Sequence, residues 1–133
     1  MAIFIDTGYI LALINTSDEY HNKAKHIVSE TKGPFITSEA ILTEIANSLS
    51  RIRWRSICIS TLYDLRSDPD IEIITINAEL FDKAIKLYST RQDKEWGLTD
   101  CLSFIIMKER RIINALTADN HYRQAGFNAL LLD

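Results

Sequence analysis

Four short apolar runs rich in β-branched residues, AIFI (2–5), FIT (35–37), IEIITI (71–76) and IINALTA (112–118), are separated by helical stretches of ten residues or more. That alternation limits the fold more than any other feature. A connection of this length is a crossover rather than a hairpin, so the strands run parallel and their sheet is covered by helices on both faces. The expected fold class is α/β: a single three-layer α/β/α domain over residues 1–133, with a mostly parallel sheet of four to five strands. The fifth candidate strand is NALLL (128–132).

The connecting segments carry helix signals. Asp6-Thr7-Gly8 ends the first run and leads into YILALI, and SDEYHNKAKHIVSET (17–31) reads as a helix capped by Ser17 and stopped at Gly33-Pro34. From Ser38, SEAILTEIANSLSRI sets Leu42, Ile45, Leu49 and Ile52 on one stripe, and a further helix covers 54–66. Asn77 caps AELFDKAIKLYSTR, Thr99 reads as the cap of TDCLSFIIMKERR, and NHYRQA is a short helix ended by Gly126.

Composition narrows the class. With 47% hydrophobic and 25% charged residues, the chain can bury one core. No stretch approaches the ~20 apolar residues that span a bilayer, and MAIFIDTG lacks the basic region and cleavage site of a signal peptide. The expectation is a soluble cytoplasmic protein with no membrane partner. Cys58 and Cys101 read as reduced, buried thiols. A net charge of −3 argues superficially against a nucleic-acid partner, but setting aside four acids gathered at one metal site leaves the rest of the surface at +1.

Four acids are candidates for such a site. Asp6 and Asp119 fall just past strand ends, where open α/β sheets bind ligands, although turn-forming Asp is common there too. Glu44 lies roughly 100° around its helix from the apolar stripe, at the border of buried face and solvent, and a solvated edge glutamate is the other reading. Asp100 stands in the first turn of its helix, where it complements the helix dipole by about 0.3–1 kcal/mol and remains free to bind a metal. Four carboxylates converging at one end of a sheet repel one another unless cations neutralise them. Oxygen ligands select hard ions, hence Mg²⁺ or Mn²⁺. His21, His26 and His121 provide no zinc set, and His21 and His26 read as surface residues. No Ser, Cys or His constellation for covalent catalysis is present, so hydrolysis falls to a metal-activated water.

FIDTGYILAL, TEIANSL, LTDCLSFIIM and ALTADNHYRQAGF, in that order, resemble the PIN-domain nucleases, especially the small ribonucleases of the VapC toxin type, over nearly the whole chain. The resemblance implies a PIN-like fold and a catalytic, metal-binding cluster of Asp6, Glu44, Asp100 and Asp119, with Thr7 and Thr117 orienting ligands or water. It implies RNA as substrate, with 5′-phosphate and 3′-hydroxyl products, and a cognate antitoxin protein that occupies the active-site groove. A homodimer contact is a further expectation. Tyr122 stands where Phe is commoner, and Gly97 where many members carry Ser. Arg91, Lys94 and Arg123 are candidates for holding backbone phosphates, and RIRWR (51–55) interleaves base and aromatic as a strand clamp would, unless Trp54 simply packs. Two other classes compete. One is a non-cleaving PIN-like module that binds RNA or protein. The other is a phosphotransfer domain, but a receiver carries an acidic pair and the phosphatases an Asp-x-Asp, whereas Asp6 is followed by Thr-Gly.

Overall fold

The computed structural model describes all 133 residues. Five strands form one parallel sheet: β1 (Ile3–Ile5), β2 (Phe35–Ser38), β3 (Ile71–Ile74), β4 (Asn114–Leu116) and β5 (Asn128–Ala129), in the order β3-β2-β1-β4-β5. Seven helices connect them: α1 (Thr7–Ile14), α2 (His21–Glu30), α3 (Glu39–Ser48), α4 (Ile52–Ser67), α5 (Ala78–Thr90), α6 (Leu98–Glu109) and α7 (Asn120–Gln124). None is long and apolar enough to cross a membrane.

Strand order decides where the helices go. The chain walks from β1 through β2 to β3, then returns over the sheet to β4 and β5. Right-handed crossovers put α1–α4 on one face during the outward walk and α5–α7 on the other after the return. α1 accordingly packs on α2 and α3, α3 on α4, α5 on α6, and α6 on α7. The reversal falls between β1 and β4, which pair Phe4 with Ala115 and Ile5 with Leu116.

The strands are shorter than their apolar runs. β3 stops at Ile74, because the Ile76 N–H leaves the ladder and donates to Glu39 Oε1 at 2.8 Å. β4 begins at Asn114, since the Ile112 N–H instead closes the end of α6 on the Met107 carbonyl at 2.8 Å. Two helix starts also differ from expectation. Ser17 caps nothing: the Asp18 carboxylate accepts the Tyr20 N–H at 2.8 Å, making a turn that delays α2 to His21. Thr99 lies inside α6, whose N-cap is Gly97, because the Asp100 carboxylate reaches back to the Gly97 N–H at 3.0 Å. Ser38 and Asn77 do cap α3 and α5, accepting from the Ile41 and Leu80 N–H groups. Cys58 and Cys101 are both free and buried.

An aromatic cluster ties α6 to the return side of the sheet. Phe104 meets Trp96 and Tyr122 edge-on, each at 5.0 Å between centroids, and leans on Phe127 at 5.7 Å, while Tyr122 continues to Phe4 of β1. Edge-to-face contacts add to the area that these rings bury and set the position of the α6 N-terminal turn. Phe104→Ala is expected to destabilise the fold by about 3–5 kcal/mol in urea unfolding. Phe81→Ala, on the outer face of α5 at 40% exposure, should cost under about 1 kcal/mol.

Candidate active site

Both strands at the reversal end beside an acid. Asp6 follows β1 directly, and Asp119 lies three residues beyond Leu116 of β4. Although Asp6 occupies the N-cap position of α1, its side chain does not cap that helix. It turns across the reversal instead, where Oδ2 accepts the Thr117 hydroxyl at 2.6 Å. The Thr117 oxygen in turn accepts the Asp119 N–H at 3.0 Å, so one hydroxyl fixes the two acids relative to each other.

Asp119 caps the short helix α7 through the His121 N–H at 2.8 Å. That turn brings the His121 ring back over the acids, with Nδ1 3.0 Å from Asp100 Oδ2 and 3.4 Å from Asp119 Oδ1. Asp100 comes from the first turn of α6, held by its bond to Gly97. Glu44 joins from the second turn of α3, where Oε1 accepts the Thr7 hydroxyl at 2.5 Å. Thr117 thus bridges Asp6 and the Asp119 backbone, while Thr7, the residue after Asp6, holds Glu44.

Ligand atoms of Asp100, Asp119 and His121 all lie within 4.8 Å of one another. Two hard carboxylates and an imidazole fit Mg²⁺ or Mn²⁺, the nitrogen favouring the latter. His121 is the site residue that the sequence reading passed over. Its signal was the Asp-x-His spacing at a capped helix start, which returns the ring toward the capping acid.

Burial opposes charge at this centre. Asp6 is only 8% exposed, and its carboxyl is pushed up to about 6. Desolvation is the largest cause; the hydroxyl of Thr117 and the N–H of Thr7 partly offset it, and the Asp100 charge adds to it. Asp100 is raised as well, first by burial and further by Asp119, against the pull of the Gly97 N–H and His121. Beneath them Tyr122 is fully buried, and desolvation together with the charges of Asp6 and Asp100 holds its phenol well above the usual range, so it stays protonated. Neither its hydroxyl nor that of Ser103 has a well-formed hydrogen bond.

None of the basic candidates pairs with the four acids. Arg91 is gripped by Asp93 at 2.9 and 3.1 Å and stacks over Trp96. Lys94 lines the same cleft as Arg91, and Arg123 is bound to Asp133 at 2.9 Å. In RIRWR, Arg53 stacks on the half-exposed Trp54 and Arg55 donates to the Ser50 carbonyl.

A family model described as the PIN domain matches residues 3–128. The 23S rRNA-specific endonuclease VapC20 of Mycobacterium tuberculosis is 26% identical over 125 residues, covering 94% of this chain and 95% of that protein. Its crystal structure, described as a sarcin-ricin loop cleaving toxin, superposes with a TM-score of 0.88 at 25% identity, over 95% of this chain and 96% of that one. A chain of a toxin-antitoxin complex from Klebsiella pneumoniae shares the fold, with a TM-score of 0.62 at 15% identity over 89% of this chain and 87% of its own.

The raised carboxyl of Asp6 sets a pH dependence. Folded Asp6 holds its proton up to about 6, whereas the unfolded chain releases it near 3.8. The stability that the neutral form contributes is complete below the lower value and lost as pH rises through the upper one. Metal-free protein should therefore melt lower at about pH 7.5 than at about pH 5, a difference worth about 1.4 kcal/mol because roughly one pKa unit of the shift lies above pH 5. Asp6→Asn should flatten that trend and raise the melting temperature at neutral pH; calorimetry in chelator across pH measures both.

Proposed function

The chain belongs to the PIN-domain family, and from that premise we propose that it is a divalent-metal-dependent endoribonuclease acting as the toxin of a toxin-antitoxin pair. The observation that carries this reading is the convergence of Asp100, Asp119 and His121 on one point, with Asp6 tied to Asp119 through Thr117 and Glu44 held by Thr7, the residue after Asp6. VapC20 is named as an endonuclease specific for 23S rRNA, and its likeness along nearly the full length of both chains favours structured RNA as the substrate class here.

Asp100, Asp119 and His121 would hold the ion directly, with Asp6 and Glu44 completing the negative field around it. Mg²⁺ or Mn²⁺ bound there supplies Lewis acidity at the phosphate and lowers the pKa of water. The chain's own contribution is orientation. Thr117 fixes the Asp6 carboxylate and Thr7 that of Glu44, so neither acid has to reorganise when phosphate arrives. Hydrolysis joins the oxygen of water to phosphorus and breaks the bond to O3′, leaving a 5′-phosphate and a 3′-hydroxyl. Lys94, together with the exposed face of Arg91, lies within the cleft that adjoins Gly97, a suitable place for the flanking strand.

An inhibitor protein completes the reading. α4 exposes Ile52 (82%), Tyr63 (68%) and Ile59, and a groove between α3 and α4 is floored by Leu42, Ala46 and Leu62. An antitoxin that covers this apolar groove and inserts an Arg or Lys among the carboxylates would hide both features at once.

Asp100→Asn and Asp119→Asn are each expected to abolish RNA cleavage while leaving the circular dichroism spectrum unchanged. Mn²⁺ at a hundred times its dissociation constant should stabilise the unaltered protein by about 2.7 kcal/mol. Asp119→Asn should blunt that shift, and an equal shift in the variant would move the ion elsewhere. In cells, the chain expressed alone should slow growth, the Asp100→Asn variant should not, and coexpression of the neighbouring gene should restore growth and yield a co-purifying complex. Harmless expression of an active nuclease would sink the toxin role and leave the ribonuclease.

A further inference from the structure

Beside the acids, the loop between α5 and α6 walls a cleft of about 580 Å³ whose lining includes Tyr88, Arg91, Lys94, Glu95, Trp96 and Gly97. It meets the site at one point, for the Gly97 N–H is the donor that holds Asp100. The indole of Trp96 is buried, anchored by donation from Nε1 to Gln124 Oε1 at 2.9 Å and by the edge of Phe104. Arg91 lies over that ring, 4.8 Å from its centroid, and its plane is locked by two bonds to Asp93. One edge of the guanidinium is therefore engaged and one face lies on the indole, while the side chain stays 39% exposed and lines the cleft. Tyr88, 52% exposed, contributes an aromatic ring to the same cleft. Lys94 has no acid within ion-pairing distance, and Glu95 disfavours a bare run of phosphates along this wall.

We propose that this cleft is a subsite for one unpaired nucleobase adjoining the bond that is cut. The base stacks on the Tyr88 ring and the Arg91 guanidinium, and the Lys94 ammonium meets the neighbouring phosphate. Planar groups of this kind bind the face of any base, which a helix keeps stacked on its neighbours and a loop or bulge leaves free. The subsite thus selects RNA by the exposure of a base rather than by its identity. The inference rests on the ribonuclease reading of the acid cluster and adds to it the form of RNA that is taken.

Fluorescence anisotropy on the full chain in an Asp119→Asn background tests it with three probes: a short single-stranded oligouridylate, the same sugar-phosphate backbone without bases, and a blunt RNA duplex. The oligouridylate should bind most tightly. Tyr88→Ala should weaken that binding about tenfold or more and leave the base-free probe unchanged, since stacking is what is removed. Tyr88→Phe should bind as the parent does, and Lys94→Ala should weaken the single-stranded and base-free probes alike. Equal binding of the oligouridylate and base-free probes, no binding of the oligouridylate, or an equal loss for both in Tyr88→Ala at unchanged melting temperature would overturn the subsite. Cleavage by the chain with native Asp119 separates the two readings. If it cuts RNA and is indifferent to Tyr88→Ala in both binding and cleavage, the nuclease stands without the subsite; if binding depends on the base but no RNA is cut, the subsite stands without the nuclease.

Discussion

The pairing of β1 with β4 is the contact on which the site depends. It joins Ile5 to Leu116, and the Asp6 N–H donates to the Leu116 carbonyl just beyond. These partners lie near opposite ends of the chain, with two strands and six helices between them in sequence. Because the entropic cost of closing a loop grows only slowly with its length, the pairing is affordable once the sheet edges and both helical layers are in place. Its result is local: Asp6 and Thr117 come within a hydrogen bond, and the topological reversal opens a crevice at the carboxyl ends of both strands.

What fills that crevice is under electrostatic tension. Asp6 and Asp100 are pushed toward the neutral form by burial, and the neighbouring acids add to the push. Opposing donors are few: the Thr117 hydroxyl, the Thr7 and Gly97 N–H groups, and His121. The centre is destabilising as pH rises, and a cation bound there would offset the repulsion that burial sharpens. The aromatic rings beneath, Phe104 and Tyr122 above all, keep α6 and α7 from moving apart under this repulsion. Rigid support of this kind is what fixed ligands and a pre-oriented field require.

Two surfaces outside the acid cluster differ in chemistry. The groove of α3 and α4 is mostly apolar, with Ile52 and Tyr63 exposed on α4. The cleft before α6 is polar and planar, with Arg91 held flat between Asp93 and Trp96. On the proposed reading, an inhibitor that covered the first and also reached the carboxylates would compete with RNA in the second, and shared occupancy would then be the physical basis of control.

The alternation of short β-branched runs with long helical segments was enough to determine a parallel α/β sheet, and Asp6 and Asp119 could be placed at its carboxyl edge because each follows a strand in its own run of residues. Asp100 was legible for a similar reason, as an acid in the first turn of a helix. Helix starts were harder: Ser17 and Thr99 are better caps than Tyr20 and Gly97, yet the Asp18 and Asp100 carboxylates took the relevant N–H groups and moved the boundaries. His121 was missed because its approach to Asp100 spans 21 residues and two helices, and nothing in either segment alone reports their angle. Glu44 and Arg91 were candidates from the sequence, but the tie of Glu44 to Thr7 across 37 residues and the place of Arg91 over Trp96 could not be read from it. Local pattern sets elements, and with them the edge of the sheet to which each acid belongs. Which side chains touch there is decided by strand order and by the packing of distant helices, because contacts between segments depend on relative orientations that no single segment encodes.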